Sequence, residues 1–189
     1  LVSIFENIVE LTFEKLNLLW EKNEVSTAQI LSSFHAMEIV LHQLLNCYSL
    51  EENNFKVVSA CINREKHSLG LQLLNTYLRI KQGSIFYLGE DVNTEIITEA
   101  VKDYRPDLLA WSATVDSNSE TMFNVLKGIE SKYKNLPIVI GGKAVYAKKE
   151  IYSIFSNVKI IKDLKNINDI LWIRILIYSF DFNDTFWNF

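Results

Sequence analysis

From residue 55 onward, five short apolar runs alternate with five stretches of helical periodicity. The runs are FKVVSAC (55–61), SIFYL (84–88), LLAWS (108–112), PIVI (137–140) and VKII (158–161). Helices are expected between them at about 67–82, 92–103, 119–132 and 144–155, with a last one beginning at Ile167. Strict alternation of short apolar strands and helices requires a parallel sheet covered on both faces.

Five strands and five helices suit the flavodoxin-like doubly wound α/β architecture, with strand order 2-1-3-4-5. In that arrangement ligands bind beyond the carboxyl ends of the strands, near the switch point between strands 1 and 3. The informative loops are therefore those after Cys61, after Ser112 and after Ile140.

The chain ahead of the first strand has a different rhythm. Residues 2–22 place Ile4, Ile8, Leu11, Leu18 and Leu19 near helical spacing. Ser26 is expected to cap a second helix reaching about Leu45, with Ile30, Phe34, Met37, Val40, Leu41 and Leu44 on its inner side. Two helices joined by a short turn make an antiparallel hairpin, which cannot bury both apolar faces alone. The expected organisation is a helical cap (1–47), a polar linker (48–54), an α/β domain (55–170) and an apolar, aromatic extension (171–189). That extension, interrupted by Arg174, Asp181 and Asp184, is too short to span a bilayer, and no function is assigned to it.

Composition narrows the class. Of 189 residues, 49% are hydrophobic and two are proline, which supports a packed core. The net charge is -4, from 19 basic and 23 acidic residues without a basic stripe, so the chain itself is not expected to hold nucleic acid. Cys47 and Cys61 fit neither a zinc site nor a disulfide framework and read as free thiols in a reducing cytoplasm. The start has no basic n-region, so no signal peptide is read, and the absence of an initial Met suggests a piece of a longer protein.

The first loop reads Asn63-Arg64-Glu65-Lys66-His67-Ser68-Leu69-Gly70. A carboxylate two residues before a histidine can accept a hydrogen bond from one ring nitrogen and leave the other aimed outward. Glu65-His67 is then an acid–base pair or a metal ligand with its orienting group; the alternative is a solvated histidine at a helix start. Gly70 would let the helix approach a bulky partner. After the third strand, Ser112 and Thr114 offer two hydroxyls on alternate residues, or helix caps shared with Ser117 and Ser119. Gly141-Gly142 follows the fourth strand as an ordinary turn or as backbone thinned for a flat ligand. No glycine-rich phosphate loop is present.

Together these residues resemble the cobalamin-binding domain of methionine synthase, corrinoid carrier proteins and light-responsive MerR-type regulators. The family pattern Asp-x-His-x-x-Gly, Ser-x-Leu or Ser-x-Thr, then Gly-Gly corresponds to Glu65-x-His67-x-x-Gly70, Ser112-x-Thr114 and Gly141-Gly142. Glutamate in place of aspartate, within Glu-x-His-x-Leu-Gly-Leu, is similar to the regulator branch, as are Tyr87-Leu88-Gly89 and Arg105-Pro106-Asp107-Leu108. The resemblance implies that His67 is the lower cobalt ligand, with Glu65 as its partner. It also implies that the displaced nucleotide tail runs past Ser112, Thr114 and Gly141-Gly142, with Ser112 bonded to the buried base. Trp20 falls where a bundle tryptophan covers the upper axial group; otherwise it is a core residue near a helix end. The Glu-His pair expected about ten residues later is replaced by Ile30-Leu31. His35 and His42 receive no ligand role.

The function expected from this resemblance is a non-enzymatic sensor, holding adenosylcobalamin or methylcobalamin and acting through self-association or an output domain outside the chain. The alternatives are a corrinoid carrier for methyl transfer, and an apo or haem-binding interaction module. A cytoplasmic protein without membrane contact is expected in each case.

Overall fold

Ser26 and Gln29 begin the longest helix among the described residues by reciprocal bonding: the Gln29 amide donates to Ser26 Oγ (3.2 Å) and the Ser26 amide to Gln29 Oε1 (2.8 Å). This capping box satisfies donors that a helix start leaves free. In the computed structural model of the chain, residues 4–46, 55–115 and 118–161 are described. A π-helical turn, Phe5–Val9, leads into α1 (Glu10–Glu21), and α2 spans Thr27–Asn46. The expected last helix from Ile167, the extension 171–189, the linker 48–54 and Ser117 lie outside the described residues.

The π-turn changes which residues face inward. Phe5 and Val9 are buried, with Phe13 and Leu16 packed beside them, whereas Ile8, Leu11 and Leu18 are exposed. A wider turn rotates the following residues relative to a regular helix, so the apolar positions read from regular spacing are not the buried stripe. On α2, Ile30, Met37 and Leu41 are buried as expected, but Val40 is exposed.

The α/β part comprises β1 (Phe55–Cys61), α3 (Leu69–Ile80), β2 (Gly83–Tyr87), α4 (Thr94–Tyr104), β3 (Leu108–Ser112), α5 (Asn118–Lys132), β4 (Ile138–Gly141), α6 (Lys143–Ala147), a 3-10 turn (Lys149–Tyr152) and β5 (Val158–Ile161). All neighbouring strands are parallel and the order is β2-β1-β3-β4-β5, the doubly wound arrangement expected. The continuous helix expected over 144–155 is broken at Lys148. There Lys148 Nζ donates to Ser119 Oγ (2.9 Å) and the Tyr152 hydroxyl donates to the Ser119 carbonyl (3.0 Å). These bonds tie the segment to the start of α5 at two points and carry the Tyr152 ring into the core.

The two sheet faces bury different partners. Val57, Cys61, Leu108, Ala110 and Val139 share one cluster with α3 and with Phe5, Val9, Met37 and Leu41 of the cap. Val58, Ala60, Leu109, Trp111, Ile138 and Ile140 pack against α4, α5 and Tyr152 on the other. Each fully buried Val, Leu or Ile contributes about 1.5–3 kcal/mol relative to exposure. The cap therefore rests on the face that carries α3. The Arg105-Pro106-Asp107 stretch has a structural role: Asp107 accepts from the Lys56 amide (2.7 Å) and donates its own amide to the Lys56 carbonyl (2.8 Å). These two bonds fasten the entry of β3 to β1. Among the described residues no helix is long and apolar enough to cross a membrane.

Candidate functional site

The loop after β1 turns back because Arg64 adopts a left-handed conformation (φ 66°). The Arg64 amide donates to Asp91 Oδ1 (2.6 Å), and the Asp91 amide donates to the Glu65 carbonyl (3.2 Å). Asp91, on the loop after β2, thus pins this loop from the side. With the chain folded inward, the Glu65 side chain is fully buried while that of His67 is 65% exposed.

Burial of a carboxylate is tolerated only when its oxygens are satisfied. Glu65 Oε1 accepts from the His67 amide (2.9 Å) and lies 2.7 Å from His67 Nδ1. Glu65 Oε2 accepts from the Thr114 amide, the Val115 amide (3.1 Å) and Asn118 Nδ2 (3.3 Å). Burial is the largest single influence on Glu65 and pushes its carboxyl up. The donors from Thr114, His67 and Val115 together outweigh it and hold the carboxyl below its ordinary value. A neutral imidazole that gives its Nδ1 proton to such a carboxylate presents the Nε2 lone pair outward.

Cys61 sits at the end of β1, where its Sγ donates to the His67 carbonyl (3.8 Å). Burial first, then the charges of Glu65 and Glu90, push its thiol up to about 12, so it stays protonated. Burial also raises the Tyr87 phenol, which bonds to Ser68. Ser68 accepts from Gln72 Nε2 (3.3 Å), which also donates to Glu38 Oε1 of α2 (3.0 Å). A polar chain therefore links the cap to the segment just after His67.

The parallel register sets Cys61 beside Ser112 and Ser112 beside Gly141, one lateral row at the carboxyl edge of the sheet. Ser112 is nearly buried there. Thr114 contributes its backbone amide to Glu65. Gly142 has φ 104°, and a Cβ there would run into the backbone of Ala113. Its requirement for glycine comes from the close approach of the β3 and β4 loops. Gly70 is exposed at the start of α3, and a Cβ there would meet nothing within 4 Å. Trp20 stands in the last turn of α1, 45% exposed, outside the bonded group around Glu65.

The structure thus brings Glu65, His67, Ser112, Thr114, Gly141 and Gly142 to one edge. It adds Asn118 and Asp91, which local sequence reading missed: both bond to loop residues distant in sequence, with only their type at a helix or turn start as a signal. Among the described residues no three His, Cys, Asp or Glu side chains gather to hold a metal ion.

Residues 55–154 match the family described as B12 binding domain. Three solved structures share the fold. A cobalamin-binding protein from Desulfitobacterium hafniense DCB-2 aligns with a TM-score of 0.58 at 16% identity, over 95% of this chain and 96% of that one. The methanol:cobalamin methyltransferase complex MtaBC from Methanosarcina barkeri aligns at 0.56 and 18% identity, over 96% of this chain and 73% of the other. The monomethylamine corrinoid protein of Methanosarcina barkeri aligns at 0.67 and 19% identity, over 92% and 83%.

Proposed function

We propose, from the premise that this chain belongs to the B12 binding domain family and that its cofactor is cobalamin, that His67 is the lower cobalt ligand of a non-enzymatic sensor module. The observation that carries this reading is the pair formed by a fully buried Glu65 and an exposed His67 ring, 2.7 Å apart. A buried, multiply bonded carboxylate fixes the tautomer and aim of the imidazole before any ligand arrives.

The remaining groups fit the cofactor. The open space at Gly70 leaves room for a broad ring system over the start of α3. Ser112 and Gly141 form a low-profile row along which a nucleotide tail can lie, with Ser112 as the hydrogen-bonding partner of its base. Gly142 and the Thr114 segment keep the neighbouring loops close to that row. Trp20, on the cap, is the group assigned to the upper axial side. When bound, cobalamin supplies a cobalt centre whose upper ligand, adenosyl or methyl, can be exchanged or lost.

The sensor reading rests on Glu65-x-His67-x-Leu69-Gly70-Leu71 and on Trp20, which resemble light-responsive MerR-type regulators. The module would act in the cytoplasm through self-association or an attached output domain, since a ligand switches a protein only by contacting its two states differently. A second reading, a corrinoid carrier with a methyltransferase partner, draws on the likeness to the monomethylamine corrinoid protein and to the methyltransferase complex.

Loading with adenosylcobalamin in the dark, followed by gel filtration before and after illumination, separates the readings. A light-dependent change in association state is the sensor result. An unchanged elution volume, with methyl acceptance by the reduced cofactor from a corrinoid methyltransferase, overturns it in favour of the carrier. Retention of haem but of no corrinoid overturns both.

A further inference from the structure

The sheet face that carries Ser112 holds a polar atom that the site described above does not use. Ser59, in the middle of β1, is fully buried, and among the described residues its Oγ has no hydrogen-bond partner. Side chains alternate along a strand, so Ser59 faces the same side as Val57 and Cys61, the side covered by α3. The register pairs Ser59 with Ala110 and Ala110 with Val139, the row directly beneath Cys61, Ser112 and Gly141. The next row down contains the larger pair Val57 and Leu108. Ser59 and Ala110 thus form a small-residue floor under the row assigned to the nucleotide tail.

A hydroxyl withdrawn from water without a partner is unfavourable, and native interiors hold few of them. We propose that Ser59 is a second hydroxyl of the tail site and selects the lower base of the corrinoid. It favours a base with a nitrogen or hydroxyl on its outer edge, such as adenine, over dimethylbenzimidazole, whose outer edge carries two methyl groups. A site that contains a buried polar group discriminates against the ligand that leaves it unpaired. This inference rests on the reading that the tail lies beside Ser112.

The test is equilibrium titration in the dark with cobalamin and with its adenine-base counterpart, carrying the same upper ligand. Wild type, Ser59→Ala and Ser112→Ala are followed by the cofactor's visible spectrum. Wild type is expected to favour the adenine form by about tenfold, the worth of one buried hydrogen bond. Ser59→Ala is expected to bring the ratio near one by weakening the adenine form alone. Without cofactor, Ser59→Ala should melt no lower than wild type, because it removes an unpaired group. A wild-type ratio near one, equal weakening of both corrinoids by Ser59→Ala, or a clearly lower melting temperature for that variant overturns the proposal. Failure of Ser112→Ala to weaken either corrinoid overturns the tail reading itself.

Discussion

His67 Nδ1 lies 2.7 Å from Glu65 Oε1, and the carboxylate that holds it is fully buried while the imidazole reaches solvent. The carboxylate is anchored from a second direction by the Thr114 and Val115 amides and by Asn118. The ring's orientation is therefore set by contacts that bridge the loops after β1 and β3.

Glu65→Gln keeps the volume but replaces a carboxylate oxygen with an amide that repels the surrounding N–H donors. With His67 as the proposed cobalt ligand, cobalamin affinity is expected to fall about 10- to 100-fold. Stability should fall by about 1–3 kcal/mol. Asn118→Ala should act in the same direction and more weakly, by about 1 kcal/mol. Spectral titration and urea midpoints read both effects; undiminished affinity in Glu65→Gln would contradict this role.

The acid limb of stability follows from the direction of the Glu65 shift. Its carboxyl is held below its ordinary value in the folded chain, so the folded state favours the ionised form. That contribution is fully present above the unfolded value, about 4.3, and is lost as pH falls through the folded one. The urea midpoint of the cofactor-free protein should drop across that interval, and Glu65→Gln should flatten the drop. Parallel acid limbs for the two proteins would refute the assignment.

Two glycines of the site should respond in opposite ways. Gly142→Ala places a Cβ against Ala113 at a positive φ, and it should cost about 1–3 kcal/mol or more. Gly70→Ala meets open space and should leave the cofactor-free protein as stable as wild type, or slightly more so. In the proposed site the added methyl group should instead weaken cobalamin binding. Thermal melts with and without cofactor distinguish the two, and a destabilised cofactor-free Gly70→Ala would contradict the account.

Much of this was legible in the sequence because the signals were local. Short apolar runs bounded by polar turns locate the strands, and their alternation with helices dictates the parallel order. Glu65 and His67 are two residues apart, a spacing that permits the contact the folded loop makes. The misses have physical causes. The π-turn at Phe5–Val9 shifts which residues face inward, and the segment broken at Lys148 bonds to Ser119 at the start of α5, about 30 residues away in sequence. Asn118 acts on a partner 53 residues away. Gly142 lies in the turn expected of it, and the added reason for glycine there, the backbone of Ala113, is a neighbour only in the folded chain.

In the proposed site His67 supplies the nitrogen bonded to cobalt. Electron paramagnetic resonance of the protein loaded with cob(II)alamin tests it, with histidine at natural abundance and then labelled with the heavy nitrogen isotope. The account predicts that triplet splitting from the axial nitrogen becomes a doublet on labelling, and that His67→Ala abolishes the change. A triplet that persists in the labelled protein would mean that the cofactor's own base remains on the metal, and it would contradict the assignment of His67.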